Sequence, residues 1–214
     1  MLQDRVEEYL GAIYRLRTDA ETPLPLSQLT EYFGFSPVSV HEMIQKLDKG
    51  GWVVYHPYRG VTLTAPGEEA AQSLLRRHRL WERFLTDKLD IPWDEAHTIA
   101  GRLEHVATDL VTERLASFLG EPDACPHGGP IPPAARSSME QCLASVPVGA
   151  QARVVRIAPE TAERLHRMAR EGLMPGRSIR VVGQHDGASR VRFEDDTTVR
   201  VTPEDAVAVW VDLV

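Results

Sequence analysis

Residues 66–119 read PGEEAAQSLLRRHRLWERFLTDKLDIPWDEAHTIAGRLEHVATDLVTERLASFL, and the rest of the chain is arranged around them. Pro66-Gly67 opens one helix reaching about Leu89, and Pro92-Trp93 opens a second reaching Leu119, with Asp94 and Glu95 in its first turn. On the first, His78 and Glu82 are four apart and share a face. On the second, His97, Gly101 and His105 repeat at four-residue steps, with Glu104 three beyond Gly101. Imidazoles and carboxylates on facing helices resemble the inward-projecting metal sites of helical bundles, so the pair reads as a divalent-metal sensor. Leu74, Leu75, Leu80, Trp81, Phe84 and Leu85, then Ile99, Leu103, Val106, Leu110, Val111 and Leu115, exceed what the pair needs for its own contact. The surplus suits burial between two copies of the chain.

Upstream, Val6, Leu10, Ile13 and Leu16 recur at helical steps within a helix expected over Leu2 to Arg17. Ser27 can cap a short helix to Phe33, Gly34 supplies a turn, and Ser36-Pro37 starts a helix carried by Val40, Met43, Ile44 and Leu47 and stopped by Gly50-Gly51. That is the spacing of a helix-turn-helix. The β-rich runs Trp52 to Tyr55 and Val61 to Thr64, joined through His56 to Gly60, make a wing. The second helix would present Ser36, Val38, Ser39, His41 and Glu42 to DNA, with Lys46, Lys49, Tyr58 and Arg59 placed to meet phosphates.

Downstream, the proline- and glycine-rich stretch from Glu121 to Pro133 marks a boundary. Its Cys125 and His127 lack partners at ligand spacing and read as part of that boundary. A link of unassigned structure runs from Ser138 to Pro147. Ala152 to Ile157, Ser178 to Gly183, Ser189 to Phe193, Thr197 to Val201 and Val207 to Val211 read as strands, with a helix from Pro159 to Arg170. Five short strands and one helix suggest a small SH3-like barrel. The expected class is therefore α+β, mainly α: a winged helix-turn-helix domain over 1–65, a helical dimerisation and metal-binding domain over 66–133, a linker over 134–150, and a C-terminal SH3-like small β-barrel over 151–214.

Composition sets limits. The net charge is −7, and residues 1–64 hold 6 Lys and Arg against 8 Asp and Glu, so any DNA contact must come from local patches. Two cysteines make no disulfide framework, and the absence of a long apolar run leads to the expectation of a soluble, cytoplasmic protein with no membrane partner. No candidate base beyond the ligands and no substrate cleft is legible, so an enzyme is not expected.

Glu7-Glu8-Tyr9-Leu10 with Ile13-Tyr14, Ser36-Pro37, Lys46-Leu47-Asp48-Lys49, Tyr58-Arg59-Gly60, Leu63-Thr64, Arg77-His78-Arg79-Leu80, Leu103-Glu104-His105 and Gly129-Pro130-Ile131-Pro132 together resemble the diphtheria toxin repressor and manganese transport regulator family. The resemblance spans essentially the whole chain. It implies a homodimeric repressor that binds a palindromic operator when metal-loaded and controls metal-uptake genes. It also implies two metal positions. One matches His78, Glu82 and His97, with Glu160 and Glu163 from the barrel helix as its further ligands; the other matches Glu8, Glu104 and His105. Gly11 and Gly101 stand where relatives carry ligands, which leaves the second position three protein donors. Carboxylates and imidazoles without a thiolate suit Mn²⁺ first and Fe²⁺ second.

Overall fold

The computed structural model describes residues 2–134 and 139–214, with Leu2 and Gln3 by backbone alone. Residues 135–138 of the expected linker, Ser138 included, lie outside the described residues. By compactness the chain divides into two units, Met1–Arg77 and His78–Val214.

In the first unit, α1 (Leu2–Leu16), α2 (Leu26–Phe33) and α3 (Pro37–Lys49) are followed by the hairpin β1 (Val53–His56) and β2 (Gly60–Leu63). Leu10, Ile13, Leu29, Val40, Ile44, Leu47, Val53 and Val61 form its core, which is the apolar periodicity of the three helices meeting the inner face of the hairpin. Gly34 closes α2 in a left-handed conformation at φ 66°. Ser36 caps α3 by accepting from the Ser39 amide at 3.2 Å, and Pro37 fills the first turn, where its missing N–H costs nothing.

The 25-residue α4 (Ala65–Leu89) crosses the division. In the second unit it is followed by α5 (Trp93–Leu103) and α6 (Asp109–Phe118), so the helix expected to run unbroken to Leu119 is two helices. Thr108 adopts extended backbone and caps α6 by accepting from the Val111 amide at 3.4 Å, and this local bond replaces continuation of α5. Leu80, Leu115, Ala116 and Ile131, with Trp81 and Phe84 beside them, pack α4, α6 and the following loop together. Leu85, Ala96 and Ala100 join α4 to α5.

The C-terminal part is a six-stranded antiparallel sheet with the order β3-β8-β4-β5-β6-β7. Its elements are β3 (Gln141–Cys142), β4 (Gln151–Ile157), α7 (Ala162–Glu171), β5 (Ser178–His185), β6 (Ala188–Phe193), β7 (Thr198–Val201), a single turn α8 (Pro203–Ala206) and β8 (Val209–Leu213). The sheet reaches back into the expected linker: Gln141 and Cys142 pair with β8, and Leu143 and Val146 are buried in the barrel core. Helix α7 starts at Ala162 rather than Pro159, because Thr161 caps it by accepting from the Arg164 amide.

Candidate metal centre

Helix α4 delivers His78 and Glu82 on one face, and α5 delivers His97 opposite them. Glu82, 0% exposed, offers Oε1 to His78 Nε2 at 2.8 Å, to His97 Nδ1 at 2.8 Å and to His127 Nδ1 at 3.2 Å. Its Oε2 is buried with no hydrogen-bond partner. A buried carboxylate oxygen without a donor is costly, and a cation is the partner that such a cluster of lone pairs would accept.

The loop after α6 supplies what local spacing concealed. Cys125 N–H donates to Gly129 O and Gly128 N–H donates to Cys125 O, both at 2.9 Å, forming a tight turn, and Ile157 N–H ties His127 O to β4 at 3.0 Å. The turn directs Cys125 and His127 inward, both buried. His127 Nε2 donates to Trp93 O at 2.7 Å, which fixes the ring and leaves Nδ1 facing Glu82. Glu160, in the link before α7, approaches Cys125 Sγ at 4.0 Å and accepts from Arg79 Nη2 at 3.3 Å. A Cβ on Gly129 would lie 2.5 Å from Glu160 Oε1 and 2.6 Å from Arg79 Nη2, so a larger residue there would push this ion pair aside.

Two donor groups result: Glu82, Cys125, His127 and Glu160, and His78, Glu82 and His97, with the candidate atoms of each group all within 4.8 Å of one another. Glu82 belongs to both. The first group mixes two carboxylates, an imidazole and a thiol from three separate segments, which is the chemistry of a divalent transition-metal site. Glu163 does not join it: its side chain is 89% exposed and pairs with Arg167 at 3.3 Å. The expected three-residue helical spacing to Glu160 is broken because Glu160 precedes the helix. Glu104 closes α5 and meets His78 Nδ1 at 2.5 Å, with His105 Nε2 at 3.5 Å from its other oxygen. Glu8 stands exposed on α1 of the first unit.

Electrostatics bind the cluster together. Burial acts to depress the His78 pKa, but Glu82 and Glu104 on its two nitrogens more than offset this and lift it to about 9. Burial raises the Glu82 carboxyl, yet His78 and His127 hold it well below the carboxylate range. Glu160 is likewise raised by burial and brought below its ordinary value by Arg79. Burial, then Glu82 and Glu160, push the Cys125 thiol well up, so thiolate forms there only with a cation to stabilise it.

In the first unit, Ser36, Val38, Ser39, Glu42, Lys46 and Lys49 are exposed on α3, and Arg59 is exposed on the hairpin turn. Tyr58, at the same turn, is fully exposed with φ 63°. His41 is half-buried, edge-on to Tyr55 at 5.3 Å, so it presents only part of its ring.

The comparisons with known proteins agree along the chain. Residues 1–61 match the iron dependent repressor N-terminal DNA binding domain, residues 64–133 the iron dependent repressor metal binding and dimerisation domain, and residues 141–213 the FeoA domain. A solved structure described as a manganese-dependent transcriptional repressor complex with manganese is 31% identical, with a TM-score of 0.85, covering 98% of this chain and 100% of that one. The chain belongs to the iron-dependent repressor family. That family consists of DNA-binding transcriptional repressors and not of enzymes. The iron-dependent repressor IdeR of Mycobacterium tuberculosis (strain ATCC 25618 / H37Rv) is 36% identical over 131 residues, 61% of this chain but only 56% of that relative's length. The diphtheria toxin repressor of Corynebacterium jeikeium (strain K411) is 28% identical over 230 residues, covering 95% of this chain and 94% of its own. ScaR with bound Zn²⁺ is 27% identical with a TM-score of 0.84 over 98% of this chain.

Proposed function

We propose that the protein is a metal-dependent transcriptional repressor whose homodimer binds a palindromic operator and shuts off metal-uptake genes in the cytoplasm. The observation that carries this reading is Glu82, a fully buried carboxylate shared by two donor groups and left with an unpartnered oxygen. Glu82, Cys125, His127 and Glu160 would hold the ion, whose charge stabilises the Cys125 thiolate and neutralises the two carboxylates. No helix among the described residues is long and apolar enough to cross a membrane, which agrees with a cytoplasmic setting.

Mn²⁺ is the first choice and Fe²⁺ the second. The similar manganese-dependent repressor supports Mn²⁺, and two carboxylates with one imidazole suit it. Cys125 adds the sulfur donor absent from the sequence reading, which strengthens the claim of Fe²⁺ and the test-tube affinity for Zn²⁺.

The residues do the coupling. Glu160 precedes the barrel helix, Cys125 and His127 come from the loop after α6, and Glu82 lies on α4, so holding them together fixes the barrel segment against the helices. Glu104 on His78 extends the same hydrogen-bonded cluster to the end of α5. A cluster held in one arrangement narrows the ensemble of the dimer and lowers the cost of matching two operator half-sites. Glu8 with Glu104 and His105 remains the proposed second position, and Glu163 keeps only the peripheral role its exposure allows. The exposed Val106, Leu110 and Phe118 on and before α6 are the apolar face that a second copy would cover. Ser36, Val38, Ser39, Glu42 and the accessible part of His41 read the major groove, while Lys46, Lys49, Tyr58 and Arg59 orient the domain on phosphates.

The test is a mobility-shift titration of duplex DNA from the protein's own upstream region with Mn²⁺, Fe²⁺ or chelator, using the wild type and Glu82→Ala. Metal should tighten wild-type binding and leave the variant unresponsive. Equal affinity with metal and with chelator would refute the reading.

A further inference from the structure

Alternation along β5, β6 and β7 sends Ile179, Val181, Val191, Phe193 and Val201 into the barrel core. The residues between them point outward, and four are exposed arginines: Arg180, Arg190, Arg192 and Arg200. The register sets Arg180 opposite Arg192 and Arg190 opposite Arg200. Directly paired residues share a face, as do Arg190 and Arg192, two apart on one strand. Facing pairs on such a sheet are about 5 Å apart at Cβ, and alternate residues along one strand are about 7 Å apart.

The patch is not a sample of a basic surface, because the chain as a whole carries −7. Among the described residues, Arg190, Arg192 and Arg200 have no ion-pair partner, and Arg180 donates only to Gly149 O at 3.2 Å. Arg153, on the same face, sits opposite Asp212 of β8 in the register. The nearby acids lie in turns: Glu194 and Asp196 border a cavity of about 400 Å³ at one end of the face, beside Arg180 and Arg192. Asp195 is engaged in its own turn, accepting from the Thr197 amide at 2.9 Å. Like charges placed directly opposite across a sheet weaken it, so a counter-anion would relieve a standing repulsion.

We propose that this arginine face docks the sugar-phosphate backbone of duplex DNA, giving the barrel a sequence-independent share of the protein's DNA affinity. The inference rests on the DNA-binding reading above. Its first support is charge complementarity: all four cations are arginines, whose planar forks match phosphate oxygens. The second is that residues 1–64 carry 6 basic against 8 acidic residues, so the winged-helix part meets a polyanion only through a few local cations, and a further cationic surface would add to them. The third is the texture of the face. Its other outward residues on these strands include Ser178 and Thr198, and a polar, cationic, gently pleated surface suits backbone contact rather than an apolar peptide.

The test uses the full-length protein with Mn²⁺ held constant. Affinity is measured against salt concentration for the operator duplex and a scrambled duplex, comparing wild type with Arg190→Gln/Arg192→Gln and with the variant that adds Arg180→Gln and Arg200→Gln. Each lost phosphate contact lowers the slope of log affinity against log salt by about 0.9. The quadruple variant should show a slope shallower by at least that step, with the same fold-loss on both duplexes, and the double variant should fall between. Unchanged slopes in variants whose thermal melts match wild type would overturn the proposal. So would loss of binding to phosphatidylglycerol vesicles with the DNA slope intact, which would mark a membrane surface instead. The ratio of operator affinities with Mn²⁺ and with chelator in wild type reports separately on the metal-dependent reading.

Discussion

Replacing Glu82 by Gln in the metal-free protein removes one charge at nearly constant shape and tests the electrostatics of the whole centre. One oxygen of this buried carboxylate faces His78, His97 and His127 at 2.8, 2.8 and 3.2 Å. With it in place, the His78 pKa is lifted from the ordinary 6.5 to about 9 against the opposing effect of burial. At about 1.36 kcal/mol per pH unit, that difference corresponds to on the order of 3 kcal/mol of folding stability at low pH. Breaking a buried pair by removing one partner typically costs about 3–5 kcal/mol, so the two routes agree in scale. The sign follows from the direction of the shift. A group whose folded pKa is raised contributes fully below its unfolded value of 6.5 and loses that contribution as pH climbs through about 9. Urea unfolding of metal-free wild type and Glu82→Gln should therefore differ most near pH 6 and converge above pH 9. NMR titration should show the His78 ring moving down from near 9 in the variant, with Glu104 on Nδ1 keeping the part of the lift that it supplies. A stability gap independent of pH, or a wild-type His78 titrating at its ordinary value, would refute the reasoning.

Cys125→Ser should lower affinity for Cd²⁺ and Zn²⁺ by more than it lowers affinity for Mn²⁺, measured by competition with a chromophoric chelator, because the thiolate is the soft donor. Glu160→Gln should weaken metal binding at least tenfold, the range of a lost ligand or its direct support, while Glu163→Gln leaves it unchanged because that side chain points to solvent. Gly101→Ala should stabilise the protein by roughly 0.5–1 kcal/mol, since its new Cβ would meet only His78 Cε1, in ordinary contact at 4.0 Å. Gly11→Glu should destabilise it by about 1–3 kcal/mol, since its Cβ would press on Leu74 Cδ2 at 3.1 Å and carry a carboxylate into a buried position; urea midpoints distinguish the two.

Local chemistry made most of the fold legible. Ser36-Pro37 announced α3 to the residue, and strict alternation placed β5 to β7 within a residue or two at their starts. The helix expected to reach Leu119 is two helices: apolar spacing continues through 104–108, while the capping bond of Thr108 that interrupts it is a single local interaction. At the site, His78, Glu82 and His97 follow directly from four-residue spacing on helices. Cys125 and His127 do not, since their role depends on a turn closed by Cys125 and Gly129 backbone groups and on partners distant in sequence. The available signal was the Gly128-Gly129 pair: glycines that allow a loop to press against Glu160 and β4 mark a segment held for its inward side chains. Gly11, which reads from sequence as a missing ligand, also packs closely against Leu74.

The sharing of Glu82 constrains how many ions the centre can hold. Its Oε1 already serves three imidazoles, and only Oε2 lacks a partner. An ion held with Cys125, His127 and Glu160 can use the unpartnered oxygen and leave His78 hydrogen-bonded between Glu82 and Glu104. A second ion that needs His78 must first displace a proton from a ring whose pKa is about 9. The two affinities should then separate with pH. The His78-dependent event should strengthen about tenfold per pH unit between roughly 6.5 and 8.5, as the neutral fraction of that ring grows. The His78→Ala variant should retain the other event. Calorimetric titration with Mn²⁺ across this range reads both, and two equivalent ions bound at pH 6.5 would mean that Glu82 and His78 are not coupled as this structure arranges them.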